Sequence, residues 1–104
     1  MDTVLTFIMI ESREVVIEGK RLQYMRMPLF KAPVLILKGE KGYVMCGYLN
    51  IDAAEKLNDV AIRVTGVNSL DDMLNAQVKE ATSGARSIGI NPGSKVSDII
   101  HLIA

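Results

Sequence analysis

Cys46 is the only cysteine in the chain, and it stands in GEKGYVMCGYLN (residues 39–50), late in an apolar strand and a few residues before a helix start. A thiol so placed is a candidate catalytic nucleophile, because a helix N-terminus stabilises the thiolate, which is the attacking species. Gly47 leaves room beside it for a ligand or a second backbone. Attack also needs a base, and the only histidine, His101, lies near the C-terminus, off the apolar face of the last expected helix. Free cysteine is equally a small buried hydrophobe, so strand packing is the preferred reading of Cys46. A His101 from a neighbouring subunit is the route by which thiol chemistry would be completed.

Polar residues gather where strands are expected to end and helices to begin: Asn50, Asp52, Asn68, Ser69, Asn91 and Ser94. Helix capping and turn formation account for most of them. A second reading makes Gly47, Asn50, Asn68 and Asn91 contacts for a small polar or anionic ligand, with Arg63 or Arg86 supplying charge. No cluster has metal-ligand spacing, and no cofactor is implied. Gly39-Glu40-Lys41-Gly42 has the spacing of a nucleic-acid-binding GxxG loop, but it joins strands rather than helices. GINPGSK (residues 89–95) ends like a phosphate loop, yet it has the wrong glycine spacing, an internal proline and no Ser or Thr after the lysine.

The elements that must position these residues divide into a β-rich first part and an alternating second part. Strands are expected at 3–10, 14–18 and 21–27, the last two joined at Gly19-Lys20 as a hairpin. After Pro28 and Pro33 come strands 34–38 and 43–49, a second hairpin through Gly39 and Gly42, whose glycines can take positive φ. A helix then starts at Asn50 or Asp52 and runs to about Asp59, with Asp52 and Glu55 as a capping box and Ala53, Leu57 and Val60 on its inner face. Strand 62–65 stops at Gly66, and a helix opened by Ser69 and Asp72 buries Leu70, Leu74, Val78 and Ala81 before ending at Gly84. Residues 87–90 read as a strand, Asn91-Pro92-Gly93 as a turn, and Val96, Ile99, Ile100 and Ile103 as the apolar face of a last helix. The strands beginning at Tyr43, Ile62 and Ser87 would be parallel within one sheet. Cys46, Asn50, Asn68 and Asn91 would then share its carboxyl edge, where ligands of such sheets bind. The fold class is a mixed α+β or α/β architecture.

At 104 residues, one domain spanning 1–104 is expected, with a mixed α/β core at 34–104. The chain is 49% hydrophobic and 23% charged, more apolar than so small a core easily absorbs, which points to a homo-oligomer. Twelve basic and twelve acidic residues balance, so nucleic acid and anionic membranes are poor partners. A single cysteine and six methionines suit the reducing cytoplasm. The first residues lack a basic n-region and a small-residue cleavage site, and their apolar run is too short to span a bilayer.

GYVMCGYLN (residues 42–50), Thr65-Gly66-Val67, the helix start at 69–74, Gly89 and Gly93 together resemble the YunC-like family of small bacterial and archaeal proteins, which carries a domain of unknown function. The resemblance runs from about Pro28 to the C-terminal helix. It implies that the β-rich region 3–27 serves oligomerisation, and it implies no reaction. The preferred reading is a cytoplasmic homo-oligomer with a small polar ligand near the Cys46–Asn50 turn. The alternatives are a thiol-dependent enzyme, with Cys46 as nucleophile, and a structural or interaction module.

Overall fold

Glu18 and Gly19 both take positive φ, 51° and 80°, the backbone of a two-residue turn whose twist matches that of the strands it joins. In the computed structural model, which describes residues 10–104, this turn joins β1 (Glu11–Ile17) to β2 (Lys20–Pro28), with Ile17 paired to Lys20. The hairpin is the expected one, but its turn is Glu18-Gly19 rather than Gly19-Lys20. The expected strand at 3–10 lies outside the described residues except for Ile10, which is exposed and in no strand.

A six-stranded sheet runs in chain order from β1 through β2, β3 (Pro33–Lys38), β4 (Tyr43–Met45), β5 (Ala61–Arg63) and β6 (Glu80–Ala81). Every neighbouring pair is antiparallel except β4 and β5, which are parallel. The helices are α1 (Ile51–Lys56), α2 (Leu70–Asn75), α3 (Ser83–Ser87) and α4 (Val96–Ile99), the last continued by a 3₁₀ turn at Ile100–Leu102. The architecture is α+β. Among the described residues no helix is long and apolar enough to cross a membrane.

Alternation decides which face each strand buries. Leu22 and Tyr24 of β2, Leu35 and Leu37 of β3, Val44 of β4 and Ile62 of β5 point to one side. There they pack with Met73 of α2, Ala85 of α3, and Val96, Ile99, Ile100 and Ile103. Met45 and Ala61 point to the other side, under Ala54 of α1 with Leu49 and Ile51. The sheet is therefore covered on both faces at β4 and β5.

Several expectations change. The stretch 87–90 is not a strand: Thr82 caps α3 through its hydroxyl, α3 ends at Ser87, and Gly89 turns the chain at a φ of 102°. The third strand of the second half is instead β6, antiparallel to β5, so only two strands run parallel. The second helix stops at Asn75, because residues 76–78 pair with 93–96: Val96 N donates to Ala76 O at 2.9 Å and Val78 N to Ser94 O at 2.8 Å. Val78 and Ala81 are buried from extended segments, and Gly84 lies inside α3 rather than ending α2. Helix α1 ends at Lys56, with Asn58 at a φ of 61°, and its inner residue is Ala54, while Leu57 is exposed. Glu55 forms no capping box. Its carboxylate accepts from Ser83 N at 2.8 Å, and that bond holds it below the usual carboxylate pKa.

Gly39 and Gly42 serve close approach rather than positive φ. A Cβ on Gly39 would overlap Ile103 O and lie 2.7 Å from Ala104 Cα, and one on Gly42 would overlap Val60 O. The bare backbone lets Lys41 N, at 3.0 Å, and Gly42 N, at 3.3 Å, both donate to Ile103 O. The β3–β4 loop thereby clasps the end of the chain against the core.

Candidate functional site

The chain leaves β4 towards α1 on one face of the sheet and leaves β5 towards α2 on the opposite face. Parallel neighbours whose following segments diverge in this way leave a gap at their carboxyl ends, a topological switch point. A cleft of about 360 Å³ lies there, lined by Cys46, Gly47 and Tyr48 after β4, Gly66, Val67 and Asn68 after β5, and Lys31, Ala32 and Pro33 at the entry to β3. Its size suits a small molecule.

Cys46 forms the floor of the cleft and is only 2% exposed. Its amide donates to Leu35 O at 3.3 Å, and its Sγ accepts from Leu35 N at 3.4 Å. The helix start beyond it is already satisfied, since the Asn50 side chain accepts from Asp52 N at 2.8 Å, and α1 has only six residues. His101 is exposed and does not line the cleft. The buried thiol matches the packing reading.

The other expected site residues divide. Gly47 and Asn68 line the cleft, whereas Asn50, Arg63 and Asn91 do not. Asn50 is the N-cap of α1. Asn91 follows Ile90 rather than a strand of the parallel pair, and its carbonyl accepts from Ser94 N at 3.2 Å. Arg63 works from behind: one guanidinium nitrogen donates to Glu80 Oε1 at 2.6 Å and the other to Gly47 O at 3.2 Å. It therefore positions the loop after β4. Arg86 Nη1 donates to Ala81 O at 2.6 Å. On the opposite side Arg26 Nε donates to Asn68 O at 2.8 Å, and Asn68 N donates to Asp72 Oδ2 at 3.0 Å. Asp72 N in turn donates to Ser69 Oγ at 3.1 Å, the expected cap of α2.

Lys31, Tyr48, Gly66 and Val67 are lining residues that the site reading of the sequence did not include. Lys31 belongs to the β2–β3 turn, and the antiparallel register of β3 with β4 brings it beside residues fifteen and more positions away. Its flanking prolines, Pro28 and Pro33, mark a turn but not what the turn faces. Among the described residues no group of three or more His, Cys, Asp and Glu is arranged to hold a metal ion.

Comparison with known proteins places the chain in a family. The family described as "Domain of unknown function (DUF1805)" matches residues 45–103, which include both cleft loops that follow the parallel strands. The chain is 32% identical over 89 residues to "Uncharacterized protein YunC" of Bacillus subtilis (strain 168), covering 82% of this chain and 88% of that one. It also superposes on the crystal structure of a protein of unknown function, TA1206 from Thermoplasma acidophilum. The TM-score is 0.90, with 45% identity and coverage of 92% of this chain and 94% of that one. The chain belongs to the YunC-like family that carries the DUF1805 domain.

Proposed function

We propose that the protein is a cytoplasmic homo-oligomer whose subunits each bind a small polar ligand in the cleft at the carboxyl ends of β4 and β5. The observation that carries this reading is the switch point itself: α1 and α2 depart to opposite faces, and the cleft they leave is lined by Gly47, Asn68 and backbone polar groups. Gly47 and Asn68 are the ligand contacts. Arg63 and Asn50 hold the loop that carries Gly47, and Asn91 shapes the turn before α4.

The oligomeric part of the reading is supported by the outer face of the first strands. Val16, Met27, Leu29 and Phe30 are exposed, Phe30 completely, and Met25, Val34 and Ile36 are only partly covered on the same side of the sheet as Met27. A patch of this kind on a chain so apolar is suited to contact with another subunit. Region 3–27 is the segment assigned to that contact. A thiol-dependent reaction is not adopted, because Cys46 is buried and its Sγ is engaged by the Leu35 amide.

Native mass spectrometry of the purified protein tests both parts together. The expected result is an assembly of more than one subunit carrying a small polar molecule that Asn68→Ala loses. A bare monomer at high micromolar concentration rejects the reading.

A further inference from the structure

We infer that two copies of the chain pack outer face to outer face through β1, β2 and β3, about a two-fold axis that runs along β2. The inference rests on the homo-oligomer part of the reading above and adds the surface, the symmetry and the charge pairs that fix them.

The uncovered part of the sheet sets the axis. Leu22, Tyr24, Leu35 and Leu37 turn the inner face of β2 and β3 into the main core, and on the outer face α1 covers β4 and β5 through Ala54. Among the described residues three strands remain uncovered on that side, and β2 is the middle one. An axis along β2 lays β1 of one copy on β3 of the other and keeps both α1 helices outside the contact. An axis nearer β3 would drive β1 into the partner's α1. The two sheets are then aligned, as face-packed sheets commonly are, and the contact uses the same patch on both copies.

Charge follows the same axis. Antiparallel register places Glu14, Gln23 and Lys38 in one outward row across β1, β2 and β3. The sign of that row reverses about β2, with an acid on one side, a base on the other and a neutral amide between. Turned over about β2, each Glu14 meets the partner's Lys38, and two ion pairs form. A surface whose charges complement its own image in this way fits a second copy better than an unrelated protein. Arg21 lies on the axis but reaches off it, with its Nε 4.0 Å from Glu14 Oε1. Towards the other end of β2 the rows are apolar: Met25 beside Ile36, then Met27 beside Val34. A groove of about 400 Å³ lies between Glu14 and Lys38, lined by Met25 and Ile36 as well. The partner's Met25, on the axis, is the flexible side chain that fills it.

Sedimentation equilibrium of the full chain and of charge-reversed variants tests this. Glu14→Lys and Lys38→Glu should each weaken self-association about tenfold or more, because each sets two like-charge contacts across the axis. Mixed in equal amounts, the two variants should associate with each other about as tightly as the unaltered protein does with itself, since every cross-axis contact in the mixed pair is again Lys against Glu. Asp71→Lys makes the same charge change on α2, away from this face, and should leave association unchanged. Glu14 and Lys38 are exposed, so their variants should fold, which circular dichroism checks. If the single variants associate as tightly as the unaltered protein, or the mixture no better than its components, the inference falls, while an oligomer assembled through another surface keeps the reading above. A monomer at high micromolar concentration overturns both, and leaves the face to residues 1–9 of the same chain or to a different protein.

Discussion

The Sγ of Cys46 takes the place of a carbonyl opposite Leu35: Leu35 N donates to it at 3.4 Å, while Cys46 O has turned away to accept from Leu49 N. The sulfur therefore closes the β3–β4 ladder at the point where β4 ends. Iodoacetamide should label the folded protein slowly and the unfolded protein freely, a contrast read by mass spectrometry during urea titration. Cys46→Ser should lower stability by about 1–3 kcal/mol, because a hydroxyl replaces a polarisable thiol in apolar surroundings. Rapid labelling near neutral pH, with a fully stable serine variant, would return the thiol to consideration as a nucleophile.

Gly39 should tolerate no side chain. The obstacles to a Cβ there are the Ile103 carbonyl and the Ala104 backbone, which cannot rotate away as a side chain can. Gly39→Ala is expected to cost about 3 kcal/mol or slightly more, measured by chemical denaturation. Gly47→Ala is the control, since its Cβ would meet only Thr65 Cγ2 at 3.5 Å and Arg63 Nη2 at 3.8 Å. It should change stability by less than about 1 kcal/mol.

Thr82 joins three segments through one hydroxyl, and it is 1% exposed. Its Oγ1 donates to Asp59 O at 2.7 Å and accepts from Ala61 N at 3.1 Å and Ala85 N at 3.3 Å. Thr82→Val keeps the shape and removes every one of those bonds, leaving polar backbone groups without partners. A loss of roughly 2–4 kcal/mol is expected, larger than for removal of an exposed cap. Thr82→Ser should recover most of it, and equal stability of the valine and serine variants would show that the hydroxyl is unimportant.

Tyr43 titrates late. Burial, and then the bond of its hydroxyl to Asp59 Oδ2 at 2.6 Å, push its pKa up to about 12 from an ordinary value of 10.0. The folded state thus holds the proton after the unfolded chain has released it. Its contribution to stability is complete below pH 10 and is lost as the pH rises towards about 12. The urea midpoint should fall more steeply across that window in the unaltered protein than in Tyr43→Phe. Parallel curves for the two would exclude a protected phenol at this position.

The elements that the sequence determined by itself are those whose signals are local. Apolar runs bounded by turn residues located the two central strands at 21–27 and 34–38, close to the observed Lys20–Pro28 and Pro33–Lys38. The spacing of Val96, Ile99, Ile100 and Ile103 likewise assigned one inner face to the last helix, and all four are buried. The Asn50 and Ser69 caps were legible because a capping side chain bonds within three residues of itself. The parallel pairing of β4 with β5 followed from the helix between them.

Only the tertiary structure decided what depends on segments that meet after distant folding. Ile88 and Ile90 alternate as a strand would, yet the Thr82 cap and the turn at Gly89 make that stretch the end of a helix and a bend. Leu70, Leu74, Val78 and Ala81 have helical spacing, but residues 93–96 capture the backbone beyond Asn75, and a periodicity cannot reveal a competing partner eighteen residues on. Glu55 has capping-box spacing and instead serves Ser83, twenty-eight positions away. The cleft obeys the same rule. Cys46, Gly47 and Asn68 could be placed at a sheet edge from their order along the chain, whereas Lys31 enters only through the register of β3 against β4, and the charge of Arg63 is withdrawn only through its contact with Glu80. Local propensity chooses the elements. The long-range pairings that close the loops between them choose which side chains share a site.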